Sequence, residues 1–204
     1  QQPTNMPKYA KAWEYAELRN EALINSGLPA KFTPDEISNY KKIGQGTVWL
    51  NEIKRHKPPK STQNLSVEGG GEKISYHVSI GHINQKSLFE GNDNYGLKRN
   101  NVRINIHSKL SEKLNITASG AYNGSAIKEH AYWTNWLIEQ ATRIPPIYPV
   151  KDANGNFTLP SGSNSNGLAR LTNGGMRTYQ NDGFSGGLTA EWSIVKDLKL
   201  KGFF

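Results

Sequence analysis

The chain has 204 residues, 35% of them hydrophobic, and a formal charge of +8 from 25 Lys and Arg against 17 Asp and Glu. The basic residues do not cluster beside aromatic ones, which argues against nucleic acid as a partner. The absence of cysteine excludes disulfides and thiolate chemistry, and no apolar run of about 18 residues offers a membrane-spanning helix.

No signal peptide is visible, and the chain starts in a polar Gln-Gln-Pro linker and stops inside an alternating run, LKLKGFF, so it reads as cut from something longer. Residues 8–26 predict a first helix, with Tyr9, Trp13, Ala16, Leu18, Ala22 and Leu23 as a rough apolar stripe and Gly27 as the stop. TPDE announces a second: Thr33 as N-cap, Pro34 at the first position and Glu36 closing a capping box, with the end before Gly44. GQGTVWLNEI then leads into the proline-broken basic run around Lys54, Arg55, His56, Lys57 and Lys60, which reads as a solvated, membrane-proximal or loop charge run.

After residue 60 the pattern changes to alternation between turns, predicting strands at 62–68, 73–83, 97–109, 114–124, 184–195 and 198–204. In the last five, the apolar residues hold even positions, such as Ile74, Tyr76, Val78 and Ile80, while Ser75, His77 and Ser79 hold the odd ones. Tight connections at GGGE, LSEK and VKDL alternate with long ones. An antiparallel meander with short turns at one rim and long loops at the other is the signature of an outer-membrane β-barrel. Tyr76 and Trp192 near the short turns, and Tyr122 and Phe184 near the long loops, suggest two interfacial girdles. The expected fold class is therefore mainly β: an antiparallel up-and-down meander, part of a transmembrane β-barrel, with helical extracellular loop inserts. Its apolar face would meet lipid and its polar face a wet lumen.

The domain expectation follows: residues 1–60 a helical extracellular insert and linker, 61–124 four barrel strands, 125–183 a long extracellular loop, and 184–204 two further strands. In the long loop, EHAYWTNWLIEQATRIPPIYP predicts a short helix from about Ala131 to Ala141. Asn154-Gly155 is a two-residue hairpin signal, and SGSNSNG and NGG read as flexible loop.

Several stretches resemble the SusC/RagA-type TonB-linked outer-membrane proteins, and the likeness spans nearly the whole chain. WEYAELRNEAL followed by FTPDEISNYKKI is similar to that family's helical insert. QNLSVEGGGEKISYHVSIGHINQKSLFEGNDNYGLKRNNVRINIHSKLSEKLNITASGAY is similar to its early barrel strands, and RIPPIYPVKDANGNF to its next extracellular loop. GTVWLNEI departs from the more acidic Asp-Trp pattern usual there.

The resemblance implies about six strands of a 22-stranded, TonB-dependent importer of oligosaccharides or peptides in the Gram-negative outer membrane. Its implied partners are a SusD/RagB-like surface lipoprotein, the TonB–ExbB–ExbD system acting through a plug region not visible here, and outer-membrane lipid. The rival reading is a soluble secreted β-rich carbohydrate-binding module.

No GxSxG, HExxH, P-loop or dinucleotide pattern occurs, so no enzyme and no cofactor are expected. Of the five histidines, His77 and His107 share the polar parity on neighbouring strands, but no carboxylate has matching spacing and no metal site is expected. The candidate substrate- or partner-contacting residues are Tyr132, Trp133, Trp136 and Tyr148. Aromatic faces on a loop can stack on sugar rings or anchor a lid protein, although the same spacing suits a helix packing its aromatic side inward.

Overall fold

The computed structural model describes residues 7–160 and 165–204; the Gln-Gln-Pro start and most of SGSNSNG lie outside them. The chain divides into two compact units. One takes the described part of Gln1–Pro58 with Ser87–Asp93 and His130–Met176; the other takes Pro59–Lys86, Asn94–Glu129 and Arg177–Phe204.

The second unit is a single six-stranded antiparallel sheet in sequence order: β1 (Lys60–Gly70), β2 (Ile74–Lys86), β3 (Gly96–Lys109), β4 (Leu114–His130), β5 (Met176–Val195) and β6 (Leu198–Phe203). Its short connections are built locally. Gly71 N–H donates to the Ile74 carbonyl at 2.7 Å, and Ser111 Oγ accepts from the backbone of Lys113 and Leu114, while Lys109 pairs with Glu112 at 2.9 Å. Gly96, at φ +155, lies so near the Gln85 carbonyl that a β-carbon there would strike it, so the return into β3 requires glycine.

The register decides which side chains share a face. In β2, β3 and β4 even pairs with even: Val78 lies opposite Ile104, and Ile104 opposite Gly120. Across β1–β2 the parity inverts, so the odd residues Leu65 and Val67 stand opposite Ile80 and Val78 and join the apolar face. A β-bulge between Ser193 and Val195 sets Val195 against Leu198 at the end of β5. The apolar face of the sheet is exposed along its length, at Leu65, Ile74, Ile80, Ile104, Leu188, Trp192 and Leu200 among others.

Two strands run further than the alternation predicts. β4 continues through His130 and β5 begins at Met176, so Tyr122 and Phe184 sit within their strands rather than at the ends. These rings pack together at 4.9 Å and mark where the even face changes character. Beyond them that face carries His82 hydrogen-bonded to Asn100 at 2.7 Å, and Asp182 accepting from the Tyr122 hydroxyl at 2.7 Å and from Gln180 at 2.9 Å. There the even face is polar and the scattered apolar residues, Leu97, Ile127 and Tyr179, take odd positions, so the even-parity signal vanishes although the backbone pairing persists.

The first unit is helical: α1 (Ala12–Asn25), α2 (Pro34–Ile43), α3 (Trp49–Ile53), α4 (Thr134–Arg143) and α5 (Gly167–Asn173). The first helix is shorter than 8–26, and α4 begins after the expected Ala131 because His130 and Ala131 complete the strand exit, Ala131 N–H donating to the Gly175 carbonyl. α3 falls where GTVWLNEI reads as a lead-in, and it buries Trp49 and Ile53. The core comprises Ala12, Ala16, Phe32, Trp49, Ile53, Leu137, Ala141, Ile144 and Leu171.

The loop between α1 and α2 is tied by one side chain: Asn20 Oδ1 accepts from the Lys31 and Phe32 N–H groups at 2.9 Å, and its Nδ2 donates to the Phe32 carbonyl at 2.7 Å. Phe32 is thereby placed edge-on to Tyr15 and Tyr40. The basic run is only partly a solvated loop, since Arg55 pairs with Asp93 at 3.1 Å and Glu90 at 3.5 Å.

The predicted capping box is present: Thr33 N–H donates to Glu36 Oε2 at 2.8 Å, and Glu36 N–H donates to Thr33 Oγ1 at 3.3 Å. The Thr33 backbone and hydroxyl bonds hold the Glu36 carboxyl below the usual range. Because the folded value is lowered, the stabilisation is fully present above the unfolded carboxylate pKa and is lost as pH falls through the folded one. Amide protection at Thr33, corrected for intrinsic exchange, is expected to fall on acidification through that window, and Glu36→Gln to flatten the dependence.

Candidate functional site

Two surfaces bring chemistry-bearing groups together. The first is the polar face of the sheet. Asn64, Gly81, Asn101 and Asn123 form one row across β1–β4 by register, and a β-carbon on Gly81 would strike the Asn101 amide and approach Asn64 Oδ1 to 2.9 Å. Nearer the short turns, Glu68 and His77 approach to 3.5 Å, His107 Nδ1 meets Thr117 Oγ1 at 3.0 Å, and Ser75 and Asn105 complete a shallow hollow. His77 stands opposite Asn105 and His107 opposite Ser75, so the two histidines are diagonal neighbours with different partners. Among the described residues no three His, Asp or Glu side chains gather as metal ligands. A second hollow on this face is floored by Ser119, Ala121, Ser185 and Gly186 beside Arg103.

The second surface is in the helical unit, where the four candidate aromatics are divided. Tyr132 and Trp136 stack at 5.8 Å with 24° between their planes. Trp133 is 76% exposed. Tyr148 belongs elsewhere: desolvation raises the pKa of Tyr15 and of Tyr40, and the nearby Tyr148 adds a smaller rise to both.

Sequence reasoning missed Arg170. Its guanidinium lies 4.8 Å from the Tyr132 ring centre and 5.0 Å from that of Trp136, and its Nε donates to Ser165 Oγ at 2.8 Å. The signal was present in NGLARLTNGG. Asn166 caps α5 by accepting from Ala169 N–H at 3.1 Å, and Gly174 N–H closes it on the Arg170 carbonyl at 2.8 Å. NGG is therefore a helix end rather than a flexible loop. Any β-carbon on Gly174 would meet the Arg170 carbonyl and come within 2.9 Å of the Tyr132 ring.

Asn166, only 2% exposed, also donates to the Val150 and Thr158 carbonyls at 2.8 and 3.1 Å, fastening α5 to the turn that precedes it. That turn spans 152–156 inside a Lys151–Phe157 bridge, longer than the two-residue hairpin that Asn154-Gly155 suggests. Asp152 Oδ1 accepts from the N–H groups of Asn156 at 2.8 Å and Asn154 at 2.9 Å. These bonds, that from Asn156 foremost, hold its carboxyl below the usual range.

No family model matches the chain, and no curated protein matches it. Solved structures do. A chain from the structure of the RagAB peptide transporter superposes with a TM-score of 0.66 at 16% identity, covering 94% of this chain and 24% of that one. Chains of the RagAB peptide importer in its "open-open" and "closed-closed" states give TM-scores of 0.65 and 0.59, each at 16% identity, covering 92% and 96% of this chain. At that identity the likeness shows the fold. The chain spans about a quarter of the length of the chains it matches.

Proposed function

We propose that this chain forms wall and extracellular loops of a TonB-dependent outer-membrane importer of the SusC/RagA type. One observation carries the reading: an open antiparallel sheet exposes a continuous apolar belt on one face and a polar, hydrogen-bonded surface on the other. In water such a belt is a large uncovered apolar patch. In an outer membrane it is the lipid-facing band of a barrel wall, and β2 to β5, at 13, 14, 17 and 20 residues, exceed the roughly 9–11 needed to cross. The bounded belt, ending at Tyr122 and Phe184, fits a wall whose upper part stands clear of the bilayer.

On this reading the protein moves solute and performs no catalysis of its own. Its cargo is an oligosaccharide or a peptide, the resemblance to solved peptide transporters favouring the peptide. A SusD/RagB-like lipoprotein covers the loop side, and TonB–ExbB–ExbD supplies energy through a plug carried by the remainder of the transporter. The test is fractionation of cells expressing the full gene. The product is expected in the outer membrane and extractable only with detergent. Recovery as a monomer from the aqueous fraction would sink the importer and leave the soluble carbohydrate-binding module standing.

A further inference from the structure

In the helical unit the arginines with carboxylate partners are placed for pairing: Arg55 meets Glu90 and Asp93, and Arg143 meets Glu139 at 2.6 Å. Arg170 differs. It is half-buried, its guanidinium is shared between two aromatic rings and Ser165 takes its Nε, yet among the described residues no carboxylate pairs with it.

A guanidinium is planar and presents a rigid set of donors that matches the two oxygens of a carboxylate. Holding it by cation–π contact removes much of the rotamer entropy that an exposed arginine loses on binding. The anchoring is built in, since Gly174 lets the Tyr132 ring approach the end of α5 and the buried Asn166 caps the start of the same helix.

We propose that the Nη edge of Arg170, which no carboxylate among the described residues occupies, is a carboxylate-binding subsite for a peptide. Among the described residues Arg170 is the cation recorded on these two rings, and one cation suits a monoanion better than a phosphate dianion. Tyr132 and Trp136 carry the guanidinium on their rings, so the pair is not an open platform for a neutral sugar. The subsite deepens the importer reading, on which it rests only for the source of the peptide.

The test uses the full-length protein, purified in whatever state fractionation shows it to occupy, and follows Trp fluorescence with three probes. These are a Gly/Ala pentapeptide with a free C-terminal carboxylate, the same peptide amidated, and trigalacturonate. The free acid is expected to bind at least about tenfold more tightly than the amide, as loss of a charge-assisted hydrogen bond implies. Arg170→Gln should abolish that preference, and Arg170→Lys should retain only part of it, because an ammonium keeps the charge and loses the fork.

Thermal melting of each variant reports folding separately, and the acid-over-amide ratio in Arg170→Lys covers the case where the Gln variant does not fold. Equal affinity for acid and amide in the wild type, or an unchanged preference in either folded variant, overturns the proposal. Arg170-dependent binding of trigalacturonate more tightly than the peptide acid overturns the peptide assignment. Because the acid–amide comparison can be made with or without detergent, its failure is distinguishable from failure of the importer reading.

Discussion

Leu137→Ala is expected to cost the helical unit about 2–5 kcal/mol. Leu137 has no exposed surface and sits at the centre of α4, which packs against both α3 and α5. Truncation opens a cavity that the three packed helices collapse around only partly. The same helix carries Trp136, so the Arg170 stack should loosen with it. Native-state hydrogen exchange in the full-length protein is the measurement. Amides of 134–143 and 167–173 are expected to lose protection together, while those of β2 and β3 keep theirs. Unchanged protection in α4 would mean that Leu137 is not the keystone its burial implies.

Val78→Arg is expected to cost about 2–4 kcal/mol in a bilayer, the range for a cation on the lipid face near the midplane. Val78 stands in register between Val67 and Ile104 within the apolar belt, so the new charge would have no polar neighbour in its row. Ser79→Asn, one residue on and on the opposite face, should change stability by no more than about 0.5 kcal/mol. Denaturant unfolding of the full-length protein in lipid vesicles distinguishes the two. Equal sensitivity at both positions would contradict a one-sided lipid contact and point to a core covered on both faces.

The strands of the belt were legible because each carries its own evidence. Ile74, Tyr76, Val78 and Ile80 alternate with polar residues whatever lies beside them, and GGGE and LSEK close their turns through hydrogen bonds within a few residues. The α2 capping box is equally local: Thr33 and Glu36 are three residues apart and satisfy each other. In the outer parts of β4 and β5 the even face turns polar and only isolated apolar residues, Ile127 and Tyr179, stand on the odd one, so there is no sustained alternation to read and the strand is detected only through its partner.

What the amino-acid sequence determined by itself is therefore the class of the sheet, its short turns, the apolar parity of five strands and the start of α2, all interactions spanning a few residues. Tertiary structure alone decided the rest. The parity of β1 depends on its register with β2, which sets Leu65 against Ile80. The helicity of α3 depends on burying Trp49 and Ile53 beneath helices far along the chain, since a five-residue helix has too few hydrogen bonds to stand alone. The partnership of Arg170 with Tyr132 and Trp136 joins residues more than thirty positions apart, through the packing of α5 and the absence of a side chain at Gly174. Short-range hydrogen bonding and periodicity are written residue by residue, whereas contacts across a long loop exist only once its closure entropy has been met by the core that forms.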